Sequence, residues 1–269
     1  MSVLMPCLNA GRYLGPCLDS VVDQLGPQDE LIVQDALSTD GSAEVLDRYA
    51  ARTPKMLVVR EKDGGQSDAL NRALRRARGD YVWWVNADDL VLPGAFEVVR
   101  GELERRASLP DVVVGGWRLV GGGGEVVRES PARELDRGRL LVQGCYAFSG
   151  AMLVRRDLLL LLRGYSRDLH YVMDFDLMLK LADAAQVVVP RPLGALRYHD
   201  ASKSGGLGRR FFTEGAVVRW RGRRTDLDVV RAVAGTAWHA AGVATARLRF
   251  GPTYTRLRER WSTRAEPSA

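Results

Sequence analysis

Four short β-favouring runs, Val3 to Met5, Leu31 to Val33, Met56 to Val59 and Tyr81 to Val85, recur at near-regular intervals, with a segment of helical pattern between each pair. This is the βα alternation of a parallel sheet. Leu14, Leu18, Val21, Val22 and Leu25 hold helical spacing after the first run; Leu70, Ala73, Leu74 and Ala77 do so before the fourth, closed by Gly79. The second run ends in Gln34 and Asp35 and passes into Ser38-Thr39-Asp40-Gly41-Ser42, a predicted N-cap for a helix from Ala43 to Tyr49. After Asp89 the pattern changes. A helix from Pro93 to Arg106, a strand from Val112 to Trp117 and a hairpin turn at Gly121 to Gly124 are expected. A strand from Gly150 to Val154, a helix from Asp174 to Ala185 and a strand from Val187 to Val189 follow, then a polar stretch from His199 to Gly208. Beyond Arg209 only helices are expected. The chain is therefore α/β, doubly wound in its first part and mixed in its second.

With 269 residues the chain can bury a full core. One main domain, residues 1–208, and a helical extension, residues 209–269, are expected. The net charge is +6, with arginine far outnumbering lysine and the excess concentrated after Arg209. A basic tail suggests anionic company, and charge alone does not choose among nucleic acid, a membrane surface and a phosphorylated substrate. Cys7, Cys17 and Cys145 are too few and too scattered for a disulfide framework or a zinc site, which points to a reducing compartment. The chain enters its first strand without a basic and apolar leader, and Ala232 to Ala246 falls short of the ~20 apolar residues that span a bilayer. A soluble, cytoplasmic protein is expected.

The candidates for chemistry lie at strand ends. Asn86-Ala87-Asp88-Asp89 follows the fourth run directly, so a carboxylate stands at a strand's carboxyl end, where open α/β sheets bind ligands. One or two acidic side chains with substrate phosphates make the usual site for Mg²⁺ or Mn²⁺; the alternative is a helix cap. Asp35 would project into the same crevice, with the same alternative. The segment from Glu61 to Asn71 sets Gly64 and Gly65 at a loop-to-helix junction, where free N–H groups and the helix dipole favour phosphate. It lacks the Gly-Lys-Ser/Thr ending of a P-loop, and no Gly-x-Gly-x-x-Gly follows the first run, which disfavours a dinucleotide fold. His199 could supply an imidazole to a metal or a hydrogen bond to a diphosphate, with Lys203 adding charge; a structural histidine is the alternative. Trp83 and Trp84 face opposite sides of one strand and are expected in the core. Trp117 is a candidate for stacking on a sugar, with core packing as the alternative. The tail reads as a solvated basic face or a membrane-surface helix, and nucleic acid is disfavoured by the sparse aromatics and the lack of a motif.

The ordered set of motifs resembles the inverting family 2 glycosyltransferases with the GT-A fold, a Rossmann-like, mostly parallel sheet flanked by helices. Met5-Pro6-Cys7-Leu8-Asn9 is similar to the family's opening strand and turn, and Gln34-Asp35 with Ser38 to Ser42 to its Asp-x-x-Ser-Thr-Asp-Gly segment. Asp63-Gly64-Gly65-Gln66 through Asn71 resembles a version found in many bacterial members. Gly79-Asp80 with Asn86 to Asp89 resembles the metal-binding Asp-x-Asp region. Arg155-Arg156, Gly164-Tyr165, Met173 to Leu177, Arg197-Tyr198-His199 and Ser202-Lys203-Ser204 continue the likeness, which covers roughly residues 2 to 205.

The resemblance implies a nucleotide-binding half, residues 1–90, and an acceptor half, residues 91–208. Asp35 matches the acid that contacts the nucleobase, and Pro6 and Asn9 lie in the turn beside it. Asp63, Gln66 and Asn71 match positions lining the nucleotide and sugar side of the cleft. Asn86, Ala87 and Asp88 match the Asp-x-Asp, with Asp88 holding Mn²⁺ or Mg²⁺ and His199 a further ligand. Asn86 replaces the first acid, and Ala36 and Leu37 replace the commoner pair beside Asp35. Asp174 matches the catalytic base, with Asp176 and Trp117 on the acceptor side. The activity implied is transfer of a sugar from a UDP- or dTDP-linked donor to a hydroxyl of a small-molecule, glycan or lipid-linked acceptor, with inversion. Two alternatives stand beside it. A sugar-phosphate nucleotidyltransferase needs a glycine-rich basic loop after the first strand, which Cys7-Leu8-Asn9-Ala10 does not supply, and a silent nucleotide-sugar binder is made thinkable by Asn86.

Overall fold

The computed structural model describes residues 1–199 and 209–241. Ser202, Lys203 and Ser204, the end of the expected helix to Ala246, and the arginines from Arg247 onward lie outside the described residues. The four expected runs are strands β1 (Ser2–Cys7), β2 (Glu30–Asp35), β3 (Met56–Arg60) and β4 (Tyr81–Trp84), alternating with α1 (Leu14–Val22), α2 (Ser42–Arg52) and α3 (Gln66–Arg76). They pair in parallel in the order β3-β2-β1-β4. Next come β5 (Leu90–Val91), α4 (Ala95–Glu104), β6 (Val112–Val120), β7 (Val126–Ser130), α5 (Arg137–Gln143), β8 (Met152–Arg155), α6 (Arg156–Leu161), α7 (Met173–Leu181), β9 (Gln186–Arg197) and α8 (Arg209–Gly222). A further helix occupies residues 226–241. The sheet continues β4-β8-β6-β9-β5, with β7 on β6. In this second part β6 and β9 are parallel and β8, β7 and β5 run against their neighbours.

Strand side chains alternate between the faces of a sheet, and the two faces bury separate cores. Val3, Met5 and Trp83 pack with α1 and α4 on one face; Leu4, Val82 and Trp84 pack with α3 and α7 on the other. Both tryptophans are buried, as their position on one strand dictates. β9 is far longer than the expected Val187 to Val189, running over twelve residues through Pro190 and Pro192. Proline donates no ladder hydrogen bond; the register against β6 slips around Gly116, which pairs with Pro192 while Gly115 pairs with Val189. The expected strand from Gly150 begins instead as a turn, Ser149–Ala151, and the expected helix from Asp174 ends at Leu181 rather than Ala185.

The tail helices join the second core through Val218 and Ala232. Glu214 of α8 accepts the backbone N–H groups of His170 at 2.9 Å and Tyr171 at 2.8 Å, just before α7. Burial pushes the Glu214 carboxyl up, but those N–H groups and Arg210 outweigh it and hold it below the usual range. Arg219 is buried, donates to the Leu141 carbonyl at 3.0 Å and lies over the Phe175 ring.

Candidate active site

Because β1, β2 and β4 are parallel and adjacent, their carboxyl ends share one edge of the sheet. Asn9, after β1, takes a positive φ of 52°, a conformation asparagine tolerates better than most residues. Its N–H reaches Ser38 Oγ at 2.8 Å, and its Oδ1 accepts the Thr39 N–H at 2.8 Å, tying the first two strand-end loops together. Asp35 is fully buried at the end of β2, paired in register with Cys7, and accepts the Ser38 hydroxyl at 2.5 Å. Pro6 is half-buried beside Gln34. Of the hydroxyls and carboxylate expected to cap α2, the Asp40 carboxylate accepts the Ser42 N–H at 3.1 Å, while Gly41 itself stands at the N-cap position.

The next loop folds on Asp63, whose Oδ1 accepts the Gly65 N–H at 2.9 Å. Burial pushes the Asp63 carboxyl up, and the nearby Asp68 charge adds to the rise. Gly65 opens α3 at φ +107°, a conformation side chains disfavour. Gln66, first in the helix, donates to Asn86 Oδ1 at 2.7 Å. Asn71 serves a different end. Its Nδ2 donates to the Tyr165 carbonyl at 2.7 Å and its Oδ1 accepts the Tyr165 N–H at 2.9 Å, so both polar groups fasten α3 to the Gly164 turn.

Asn86 is a structural hub. Its Oδ1 also accepts Trp84 Nε1 at 2.7 Å, its Nδ2 donates to Asp89 at 2.8 Å, and its carbonyl accepts the Cys17 thiol. The amide is spent on the protein rather than offered to a donor. Ala87 is buried behind it. Asp89, read from the sequence with Asp88 as a ligand-site carboxylate or a helix cap, accepts the Arg197 N–H at 2.9 Å. Burial, and then the neighbouring Asp88 charge, push its carboxyl well above the usual range. Arg197 is buried too, its guanidinium donating to the carbonyls of Asp88 at 3.0 Å and Gly122 at 3.2 Å. Together these groups lock the end of β9 against the Asp88 loop.

That lock delivers His199. Its Nε2 lies 3.0 Å from Asp88 Oδ2, and its ring stacks on Tyr13 with centroids 4.2 Å apart. Tyr13 carries no motif and was not legible as a site residue. Asp88 keeps about a third of its side-chain surface exposed (32%). A carboxylate oxygen and an imidazole nitrogen 3.0 Å apart are donor types that a divalent cation takes, with diphosphate and water oxygens for its remaining positions. Among the described residues no cluster of three His, Cys, Asp or Glu is present.

Asp174 stands in the first turn of α7, half-buried, its Oδ1 accepting the Phe175 N–H at 2.7 Å and its Oδ2 3.8 Å from Cys145 Sγ. No side chain caps α7 at Val172. Asp176 is committed elsewhere, bonded to Ser166 Oγ at 2.5 Å and paired with Lys180 at 2.6 Å. That removes it from the acceptor role expected for it. Trp117 is buried in the first core against Phe148, with its Nε1 donating to the Tyr146 carbonyl at 3.3 Å, which is core packing.

The sequence profile of Glycosyl transferase family 2 matches residues 2–160. Relatives include Glycosyltransferase GlyG of Streptococcus pneumoniae serotype 4, 30% identical over 44% of this chain and 38% of the relative. The Putative teichuronic acid biosynthesis glycosyltransferase TuaG of Bacillus subtilis is 39% identical over 33% of this chain and 36% of the relative. The chain thus matches little more than a third of the length of either. S. aureus TarS 1-349 in complex with UDP-GlcNAc superposes with a TM-score of 0.69 at 18% identity, covering 93% of this chain and 74% of that one. Mannosyltransferase PcManGT from Pyrobaculum calidifontis in complex with GDP-Man and Mn2+ gives 0.61 at 20% identity, over 97% and 82%. At these identities the likeness establishes the fold, a GT-A-type mixed sheet with flanking helices.

Proposed function

We propose, for a chain that belongs to glycosyl transferase family 2, that it moves a sugar from a UDP- or dTDP-linked donor to an acceptor hydroxyl with inversion at the anomeric carbon. The observation that carries this reading is the contact of His199 Nε2 with Asp88 Oδ2, 3.0 Å apart, between residues distant in sequence at the mouth of the parallel sheet. Asp88 and His199 would hold Mn²⁺ or Mg²⁺, which when bound neutralises charge gathering on a departing diphosphate. Asn9, Asp35 and Asp63 border the nucleoside side, where the interlocked strand-end loops supply a rigid floor. Asp174 accepts the proton of the acceptor hydroxyl as its oxygen bonds to the anomeric carbon and the glycosyl–phosphate bond breaks on the opposite face. The Cys145 thiol lies 3.8 Å from that carboxylate.

The UDP-GlcNAc bound by S. aureus TarS and the GDP-Man and Mn²⁺ bound by PcManGT support a nucleoside diphosphate donor and a cation, each for its own protein. The test is calorimetric titration of UDP with and without Mn²⁺. Wild type is expected to bind UDP at least tenfold tighter with the cation, and Asp88→Ala to lose that gain; equal Mn²⁺ dependence in the variant would overturn the assignment. Slow Mn²⁺-dependent hydrolysis of a UDP-sugar separates an enzyme from a silent binder.

A further inference from the structure

The helix at residues 226–241 meets the second core only through the small Ala232 and turns its larger apolar side chains outward. At 100° per residue, Asp228, Gly235 and His239 fall on the side packed against the protein, where Asp228 caps the backbone at Arg224 and His239 meets the buried Arg219. The outward arc is apolar: Leu227, Val230, Val233 and Trp238 are all more than half exposed, Trp238 by 73%, with Ala234 and Ala237 between them. Amphipathic helices of globular proteins place their faces the other way. Trp220 of α8 is also half exposed, with Arg223 over its ring. Among the described residues the exposed tryptophans are these two, both in the tail.

Charge identifies the partner. Residues 209–269 contain thirteen arginines and five carboxylates, so the tail carries more than the chain's entire +6 and the rest of the chain is slightly acidic. Arg221 ends α8, and Arg223 and Arg224 lie in the turn that leads into the apolar helix. An apolar face holding tryptophan, bordered by arginine, matches the boundary between acyl chains and anionic headgroups. A nucleic acid would satisfy the arginines and leave the apolar arc in water; a neutral protein groove would do the reverse. We propose that the outward face of helix 226–241 docks on an anionic lipid bilayer, with Trp238, Val230 and Leu227 entering the interface and the arginines at the helix start meeting headgroup phosphates. The contact proposed is with one leaflet; no helix among the described residues is long and apolar enough to cross a membrane.

Sedimentation of the full chain with vesicles tests this without reference to sugar transfer. The chain is expected to bind phosphatidylcholine vesicles containing about a third phosphatidylglycerol and to bind pure phosphatidylcholine at least tenfold more weakly. Leu227→Ser/Val230→Ser/Trp238→Ser, changing only exposed side chains, is expected to weaken anionic-vesicle binding at least tenfold. Arg223→Gln/Arg224→Gln is expected to weaken it by about fivefold per arginine. UDP-sugar hydrolysis in lipid-free buffer should be unchanged in both, which keeps a folding defect separate from a docking defect. Equal sedimentation of the triple variant and wild type would overturn the proposal. So would binding of duplex DNA without vesicles, or concentration-dependent dimerisation abolished by the triple variant without vesicle binding.

Discussion

Replacing Glu214 by alanine tests how far the tail helices hold the site together. Glu214 is buried, bridges α8 to the backbone just before α7, and accepts from His170, Tyr171 and, at 2.7 Å, Arg210. Removing the carboxylate takes an acceptor from two N–H groups in a partly buried contact. A charge-assisted hydrogen bond contributes about 1.5–3 kcal/mol and an unmade one costs a similar amount; discounting the partly exposed Arg210, the loss is about 2–4 kcal/mol. For a chain of this size that lowers the melting temperature by roughly 5–12 °C, readable by calorimetry. The pH dependence has a definite sign. The folded carboxyl lies below its ordinary 4.5, so its stabilisation is complete above that value and is lost as pH falls through the lower folded value. The gap between wild type and Glu214→Gln should therefore be widest near neutrality and close under acid. A melting temperature within about 1 °C of wild type at pH 7, or a gap that widens on acidification, would refute the reasoning.

Three further outcomes follow from the same contacts. Asn86→Asp, which restores the acid of the family's motif, is expected to destabilise the protein by about 2 kcal/mol or more, because it sets a carboxylate against the buried Asp89 where an amide now donates; urea unfolding reads the loss, and tighter Mn²⁺-dependent UDP binding at unchanged stability would contradict it. Gly164→Ala forces a side chain onto φ +69° and drives its Cβ into Asn71 Oδ1, so about 2–3 kcal/mol should be lost, and thermal unfolding unchanged from wild type would show that the Asn71 clasp is not rigid. His199→Ala is expected to weaken Mn²⁺-dependent UDP binding by about tenfold, measured calorimetrically, while UDP affinity without the cation stays the same.

The first four strands were legible because each is a short apolar run bounded by polar turns, and Trp83 and Trp84 betrayed by adjacency that both faces of their strand are covered. β9 was not: Pro190, Pro192 and Gly194 each argue against a strand, and only the slipped pairing with β6 shows how they are accommodated. Asp35, Asp88 and His199 drew attention from their places after strands, and Asp63 from its loop-to-helix segment and the family resemblance. Asn71 and Asn86 were found for their motifs and misjudged in role, since an amide's partners lie far off in sequence, as Tyr165 does from Asn71. Tyr13, Asp89 and Arg197 support the site through contacts no local pattern encodes. The outward apolar arc of residues 226–241 escaped because periodicity shows that a helix has two faces, without telling which one meets the protein.

The most direct measurement is a pair of numbers on Asp174→Asn: donor affinity by calorimetry with Mn²⁺ present, and turnover to a glycosylated product. The substitution keeps the shape of the side chain and removes its basicity, so affinity within about twofold of wild type and turnover lower by about 10²–10⁴-fold are expected. Full turnover in that variant would contradict the assignment of the base and, with it, the proposed division of labour across the cleft.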